Sequence, residues 1–454
     1  MFSSLKIVSS KHFRLFIATI SILIVAFLLI ILPLTRYVAL ISIFSLFSAL
    51  LSQKVRKTIK KYFMTLKIET EGLLNNGIYL KEVQLSLEQK HIFVRLPKVT
   101  VKTDIEDSVR EISITISPYN QEKLSKLDLS SVFQGFIQQQ AQPNRDSSQM
   151  VYKLLNIDSD YFYKFSNLKQ LFQFQKNYHS EIPLDKYNSL PMLSHKIIIA
   201  RSGNGKSFLL LYLISFLALS QKHILLVADY KQSDLFIACR DNLGLRSVSN
   251  KEDVLQVVED TYLELLNRQK AFNNYQGNKL GLTMDKLGYK PLFLVIDELA
   301  SFTAALDKKE LEQFNFHFKQ IMLLGRALSV FCLITMQQFN VKNLGGSSEL
   351  KEQFSDQILL GNNDSQTVQN LYGTNELPNF QMEKGNGFLK NDSNLKPVLF
   401  RSPFLEPSFF KHLEQLNLKL QTKKELMLSS LISTSEMNLK GGFTFEFILE
   451  VPQF

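Results

Sequence analysis

Two short polar clusters in this 454-residue chain stand where long apolar runs end, and both have chemistry in them. The first is Ala200-Arg201-Ser202-Gly203-Asn204-Gly205-Lys206-Ser207, preceded by Ile197-Ile198-Ile199 and followed by an apolar stretch over 208–219. A strand, a turn of small residues and a helix follow one another there. Backbone N–H groups of such a turn point inward at anionic oxygens, and the helix N-terminus adds the positive end of its dipole. The spacing matches G-x-x-x-x-G-K-[ST] except at its first position, where Ala200 stands for Gly. It predicts a nucleotide phosphate cradle built from Arg201, Ser202, Gly203, Asn204, Gly205, Lys206 and Ser207. Lys206 would meet the β- and γ-phosphates and Ser207 the Mg²⁺.

The second cluster is Asp297-Glu298, about 90 residues later, at the end of the apolar run Leu292-Phe293-Leu294-Val295-Ile296. Acids at such a strand end suit phosphoryl transfer, where the enzyme supplies position and charge neutralisation. Asp297 is expected to hold Mg²⁺ and Glu298 to polarise the attacking water. A buried strand also ends in charge simply on reaching solvent, so the pair gains its meaning from the cradle upstream. A third strand ends Leu333-Ile334-Thr335-Met336-Gln337-Gln338, and Gln337 is the candidate γ-phosphate sensor.

These residues need strands to present them. Apolar runs over Lys196 to Ala200, His223 to Ala228, Leu292 to Ile296, Val330 to Thr335 and Gln357 to Gly361 read as strands covered on both faces. Helical patterns over Glu252 to Phe272 and Lys308 to Leu324 lie between them, so the fold expected is α/β with a mainly parallel sheet and the site on its carboxyl edge. Upstream, period-two patterning in runs such as Ile112-Ser113-Ile114-Thr115-Ile116 predicts a small β-rich module. The domain reading is an N-terminal anchor over 1–61, the β-rich module over 62–133, a helical connection over 134–189, the ATPase domain over 190–402 and a tail over 403–454.

The anchor follows from two apolar stretches, 15–34 and 37–51, separated by Thr35-Arg36. The first is long enough to cross roughly 30 Å of hydrocarbon. Basic residues Lys6, Lys11 and Arg14 precede the pair, and Lys54, Arg56, Lys57, Lys60 and Lys61 follow it. The positive-inside bias therefore predicts a two-pass transmembrane hairpin in the cell membrane, with both termini and the ATPase domain cytoplasmic. The net charge of +10 fits nucleic-acid contact and equally fits basic membrane flanks. Cys239 and Cys332 lie far apart in apolar surroundings, with neither disulfide nor metal spacing.

The order of Leu190-Pro191, Gly205-Lys206-Ser207, Asp229-Tyr230-Lys231, Val295-Ile296-Asp297-Glu298, Gly325-Arg326-Ala327 and Thr335-Met336-Gln337-Gln338 resembles the motor domain of FtsK/SpoIIIE-type DNA translocases. The resemblance covers residues 190–402. It implies a RecA-like P-loop ATPase that binds ATP and Mg²⁺, assembles as a homo-hexamer and drives DNA through a central pore. It implies Arg326 as an arginine finger reaching a neighbouring subunit's nucleotide, and Asp229 and Lys231 at the edge of the site. The residues after Ser402 show no helix-turn-helix pattern of the kind found in translocases that align chromosomes. The short membrane-anchored build resembles coupling proteins of Gram-positive conjugative elements, which implies delivery of relaxase-bound DNA to a transfer channel. The alternatives are a cell-division translocase, a protein-export ATPase and a membrane scaffold that no longer hydrolyses ATP.

Overall fold

A computed structural model of the protein describes residues 5–6, 53–85, 90–103, 109–157, 161–340, 344, 348–375, 377 and 382–415. The expected hairpin at 15–34 and 37–51 lies outside the described residues. Among the described residues no helix is long and apolar enough to cross a membrane. The chain divides into two compact units, Met1–Ser159 and Asp160–Phe454.

The first unit contains a four-stranded antiparallel sheet, ordered Val99–Thr103, Val109–Thr115, Gln149–Asn156, Phe136–Pro143. Alternation puts Ile112, Ile114, Tyr152 and Leu154 into a core shared with Ile68, Leu73, Leu124 and Leu129. The Tyr152 hydroxyl donates to the Leu124 carbonyl at 2.6 Å, which satisfies its one polar atom inside that core. The patterned run Ile112-Ser113-Ile114-Thr115 lies in a strand of this sheet, and the stretch 134–189, expected as a helical connection, supplies two more strands. Residues 136–143 and 149–156 complete this sheet, and among the described residues of that stretch only Leu168–Gln175 is α-helical. The strand over 136–143 lies at the sheet edge and is rich in Gln, which reads as loop. A backbone ladder needs no apolar side chain, and Gln138 uses its amide to hold Leu129 N–H and Leu127 C=O at 2.8 and 3.1 Å.

An eight-stranded sheet carries the second unit. In chain order its strands are β1 (Lys196–Ala200), β2 (Ile224–Asp229), β3 (Arg246–Val248), β4 (Leu292–Asp297), β5 (Val330–Met336), β6 (Asp356–Leu360), β7 (Asn386–Asn391) and β8 (Asn394–Arg401). Across the sheet they run β3-β2-β4-β5-β1-β6-β7-β8. The first six are mutually parallel, and β7 and β8 add an antiparallel edge. The five apolar runs read from the sequence are β1, β2, β4, β5 and β6; β3 and the β7–β8 hairpin were not anticipated.

Helix α1 (Lys206–Leu219) is buried on every side from Leu209 to Leu217, as its uninterrupted apolar sequence requires. Helices α2 (Lys251–Asn274) and α4 (Lys308–Leu328) flank the short α3 (Leu299–Ala304). Each long helix starts at a side-chain cap, Asn250 accepting from Asp253 N–H and Asp307 from Glu310 N–H. The unit extends beyond 190–402 in both directions. Phe165, Leu168, Leu171, Ile182 and Leu184 join the α1 core, and Phe404–Leu405 pairs with Lys164–Phe165 ahead of α5 (Pro407–Gln415).

Candidate nucleotide site

Parallel strands deliver their carboxyl ends to one edge, so Ala200, Asp229, Asp297, Met336 and Leu360 finish β1, β2, β4, β5 and β6 on the same side of the sheet. The turn 201–205 leaves β1 there. Gly205, with φ +97°, ends it as the N-cap of α1, a left-handed conformation that glycine adopts without steric cost. The Asn204 side chain lies over Gly361, where an added Cβ would come within 2.3 Å of it. Arg201 donates to Asp364 at 3.1 Å, so the loop is fastened to the segment leaving β6. Ala200 is fully buried in the α1 core and does not need a positive φ. Its methyl group fills space that glycine would leave empty. Ala200→Gly is therefore expected to leave ATP hydrolysis unchanged and to lower stability by about 1 kcal/mol, measured by steady-state turnover beside thermal melting.

Lys206 Nζ reaches across to the acids, 2.8 Å from Glu298 Oε2 and 3.0 Å from Asp297 Oδ1. It also donates to Thr335 Oγ1 at 3.2 Å. Burial works against the lysine charge, but Asp297 and Glu298 outweigh it and hold the pKa above its ordinary value. Thr335 is the hub of this group. Buried in β5 and level with Asp297, it donates its hydroxyl hydrogen to Asp297 Oδ1 and accepts Glu298 N–H at 3.0 Å. Glu298 follows β4 at φ +55°, ψ +59°, a sparsely populated conformation for a non-glycine residue, and the Thr335 contact fixes it.

Of the residues expected in the site, Lys206, Asp297 and Glu298 are brought into direct contact, and Ser207 stands exposed at the start of α1. Gln337 is adjacent through its backbone, whose N–H donates to Glu298 Oε1 at 3.2 Å, while its side chain is exposed. Lys231 Nζ lies 3.9 Å from Glu298 Oε2. Asp229 is buried and caps the following turn, accepting Lys231 and Ser233 N–H at 3.1 and 2.9 Å.

Arg326 is not part of this group. It lies in the last turn of α4, not after it, and its charge acts on His195, whose Cε1 would lie 3.2 Å from a Cβ on Gly325. His195 precedes β1, so Arg326 belongs to the opposite edge of the sheet, a strand length of roughly 16 Å from the cradle. Burial first, then the Lys196 and Arg326 charges, pushes His195 down to about 3 and keeps it neutral. Sequence reasoning missed Thr335. Its signal was a lone hydroxyl in the apolar run Val330-Phe331-Cys332-Leu333-Ile334.

Mg²⁺ commonly takes one or two protein oxygens and completes its shell with phosphate and water. The Ser207 hydroxyl and Asp297 carboxylate fit that donor set. Among the described residues no cluster of three or more His, Cys, Asp or Glu forms a metal cage.

A β-strand order with β5 between the cradle strand and the acid-bearing strand, together with this lysine–acid group, defines the unit as a P-loop ATPase domain. Its motif order resembles that of FtsK/SpoIIIE-type domains, and a curated relative that carries an FtsK domain is similar to part of the chain. That relative, the FtsK domain-containing protein YdcQ of Bacillus subtilis (strain 168), is 29% identical over 185 residues, 40% of this chain. The match spans 37% of the relative's length. No family model matches the chain. Among solved structures, the pCW3 conjugation coupling protein TcpA with ATPγS is similar over 80% of this chain and 99% of its own, at 16% identity and TM-score 0.48. The cytoplasmic domain of the Thermomonospora curvata Type VII secretion ATPase EccC covers 52% of this chain and 31% of its own, at 21% identity and TM-score 0.42.

Proposed function

We infer that the protein is a membrane-anchored, ATP-driven DNA translocase that serves as a conjugative coupling protein, bringing relaxase-bound DNA to a transfer channel. The observation that carries the motor reading is the contact of Lys206 with Asp297, Glu298 and Thr335 on one sheet edge. A phosphate entering the loop takes over a Lys206 hydrogen from the carboxylates. Glu298 is then released to accept a proton from water; Ser207 and Asp297 would hold Mg²⁺, whose charge would offset that of the phosphates. The Gln337 N–H contact ties Glu298 to the chain after β5, a route from γ-phosphate to the segment that follows. In a hexameric ring Arg326, too far from its own cradle, acts on a neighbour's nucleotide.

Charge supports the membrane half of this reading. Residues 1–68 hold ten of the 52 Lys and Arg and none of the 42 Asp and Glu, so the remainder carries 42 of each and no net charge. The whole excess of +10 therefore flanks the two apolar runs instead of covering the ATPase domain. Directly after those runs, the helix Gln53–Lys67 exposes Ile59, Phe63 and Leu66 at i, i+4, i+7 spacing, among Lys60 and Lys61. An apolar stripe set among cations suits an anionic lipid surface.

Two experiments test the reading. The full chain expressed in bacteria is expected to stay with the membrane through alkaline carbonate extraction; release into the supernatant contradicts the anchor. With ATP and Mg²⁺ it is expected to strip a third strand from a triplex on duplex DNA, and failure to do so while ATP is hydrolysed contradicts translocation.

A further inference from the structure

Phe208 directly follows Ser207 in the first turn of α1, yet it is 40% exposed in a helix otherwise buried from Leu209 onward. Phe410 of α5 meets its ring edge-on, with centroids 5.4 Å apart and planes at 79°. Lys384 Nζ lies 5.6 Å from the same ring. The next residue, Gly385, runs along the phosphate loop, its N and Cα each 3.8 Å from where a Cβ on Gly205 would sit. Ser402 N–H donates to the Gly385 carbonyl at 2.8 Å and fixes this segment to the end of β8. One wall of the phosphate loop is thus an aromatic face, braced from the side and accompanied by a cation.

We propose that Phe208, braced by Phe410 and flanked by Lys384, is the stacking face for the purine base of the bound nucleotide. The inference rests on the reading of 200–207 as a phosphate cradle. In a nucleoside triphosphate the base lies only a ribose and one phosphate beyond the β-phosphate. An aromatic ring directly after Ser207, the last residue of the cradle, is therefore within its reach. The base buries apolar ring area that is otherwise in water, and the Lys384 charge is attracted to the π-faces of both rings. Phe208 and Lys384 offer ring area and charge, and these select for the larger purine face without reading its edge. ATP and GTP are then bound by the same contact.

The test is calorimetric titration of the full chain with ATP, GTP and inorganic tripolyphosphate. Phe208→Ala is expected to weaken ATP and GTP about tenfold, within the range for one base stacked on one aromatic ring, and to leave tripolyphosphate binding unchanged. Phe208→Leu keeps apolar volume in the first turn but removes the flat ring, so it is expected to show the same selective loss if the alanine variant folds poorly. Phe208→Trp is expected to retain or tighten binding. Equal weakening of nucleotide and tripolyphosphate, or no weakening of either, overturns the stacking face. A wild-type chain that binds neither ATP nor tripolyphosphate overturns the phosphate cradle itself.

Discussion

Glu298→Gln is expected to bind ATP and to turn it over between about a hundredfold and ten-thousandfold more slowly, the range that a positioned general base contributes. Glutamine has nearly the shape of glutamate, so the Thr335 contact to the backbone at 298 and the left-handed conformation there are retained. What is lost is the carboxylate that takes the proton. The sign of the affinity change also follows. Lys206 is shared between Glu298 and Asp297, and removing one carboxylate leaves the lysine more available to phosphate. ATP binding is accordingly expected to stay equal or tighten. Single-turnover hydrolysis beside equilibrium binding separates the two effects, and a variant with normal hydrolysis removes Glu298 from its role.

Lys196→Ala is expected to destabilise the second unit by about 3–5 kcal/mol, the cost of leaving one member of a fully buried ion pair without its partner. Lys196 opens β1 and lies opposite Asp356 of β6 in the parallel register, with both side chains inaccessible to solvent. Its Nζ is 3.3 Å from Asp356 Oδ2 and donates to the carbonyls of Pro191 at 2.6 Å and of Met192 and Ser194 at 3.3 Å. Burial pulls the lysine pKa down and pushes that of Asp356 up, and each partner draws the other back. Three carbonyls around an ammonium favour the charged form. In the alanine variant Asp356 keeps the Ser194 hydroxyl on Oδ2 but has no cation, and its Oδ1 already has no partner among the described residues. The double substitution Lys196→Met with Asp356→Leu is expected to recover most of the loss, because it removes both charges while filling their volume. Chemical denaturation of the single and double variants measures this, and a loss below about 1 kcal/mol for Lys196→Ala contradicts the account.

How much of this was legible in the chain depended on whether the signal was local. β1, β2, β4, β5 and β6 announce themselves as apolar runs, and the cradle and Asp297-Glu298 stand at their ends. Ala200 departs from a motif that asks for glycine there, but the backbone at 200 needs no positive φ. Thr335, Lys196 and Phe208 were hidden for a shared reason. Each is an unremarkable residue in or beside an apolar run, and its partners lie far off in sequence, at Asp297, Asp356 and Phe410. The β7–β8 hairpin, which sets Gly385 beside the phosphate loop, is rich in Asn and Lys and carries Pro397. Such composition suggests a loop until the antiparallel pairing with β6 is seen. Arg326 was the reverse case, a residue legible by family order whose helix carries it to the far edge of the sheet.

In the proposed function, one edge of this sheet converts ATP hydrolysis into work on DNA. ATP turnover by the full chain, reconstituted in lipid and followed with and without duplex DNA, tests it most directly, with Lys206→Ala as the reference for a dead site. Mg²⁺-dependent hydrolysis that rises when DNA is added and is lost in Lys206→Ala is the predicted result. Hydrolysis no higher than that of Lys206→Ala, or hydrolysis indifferent to DNA, would contradict it.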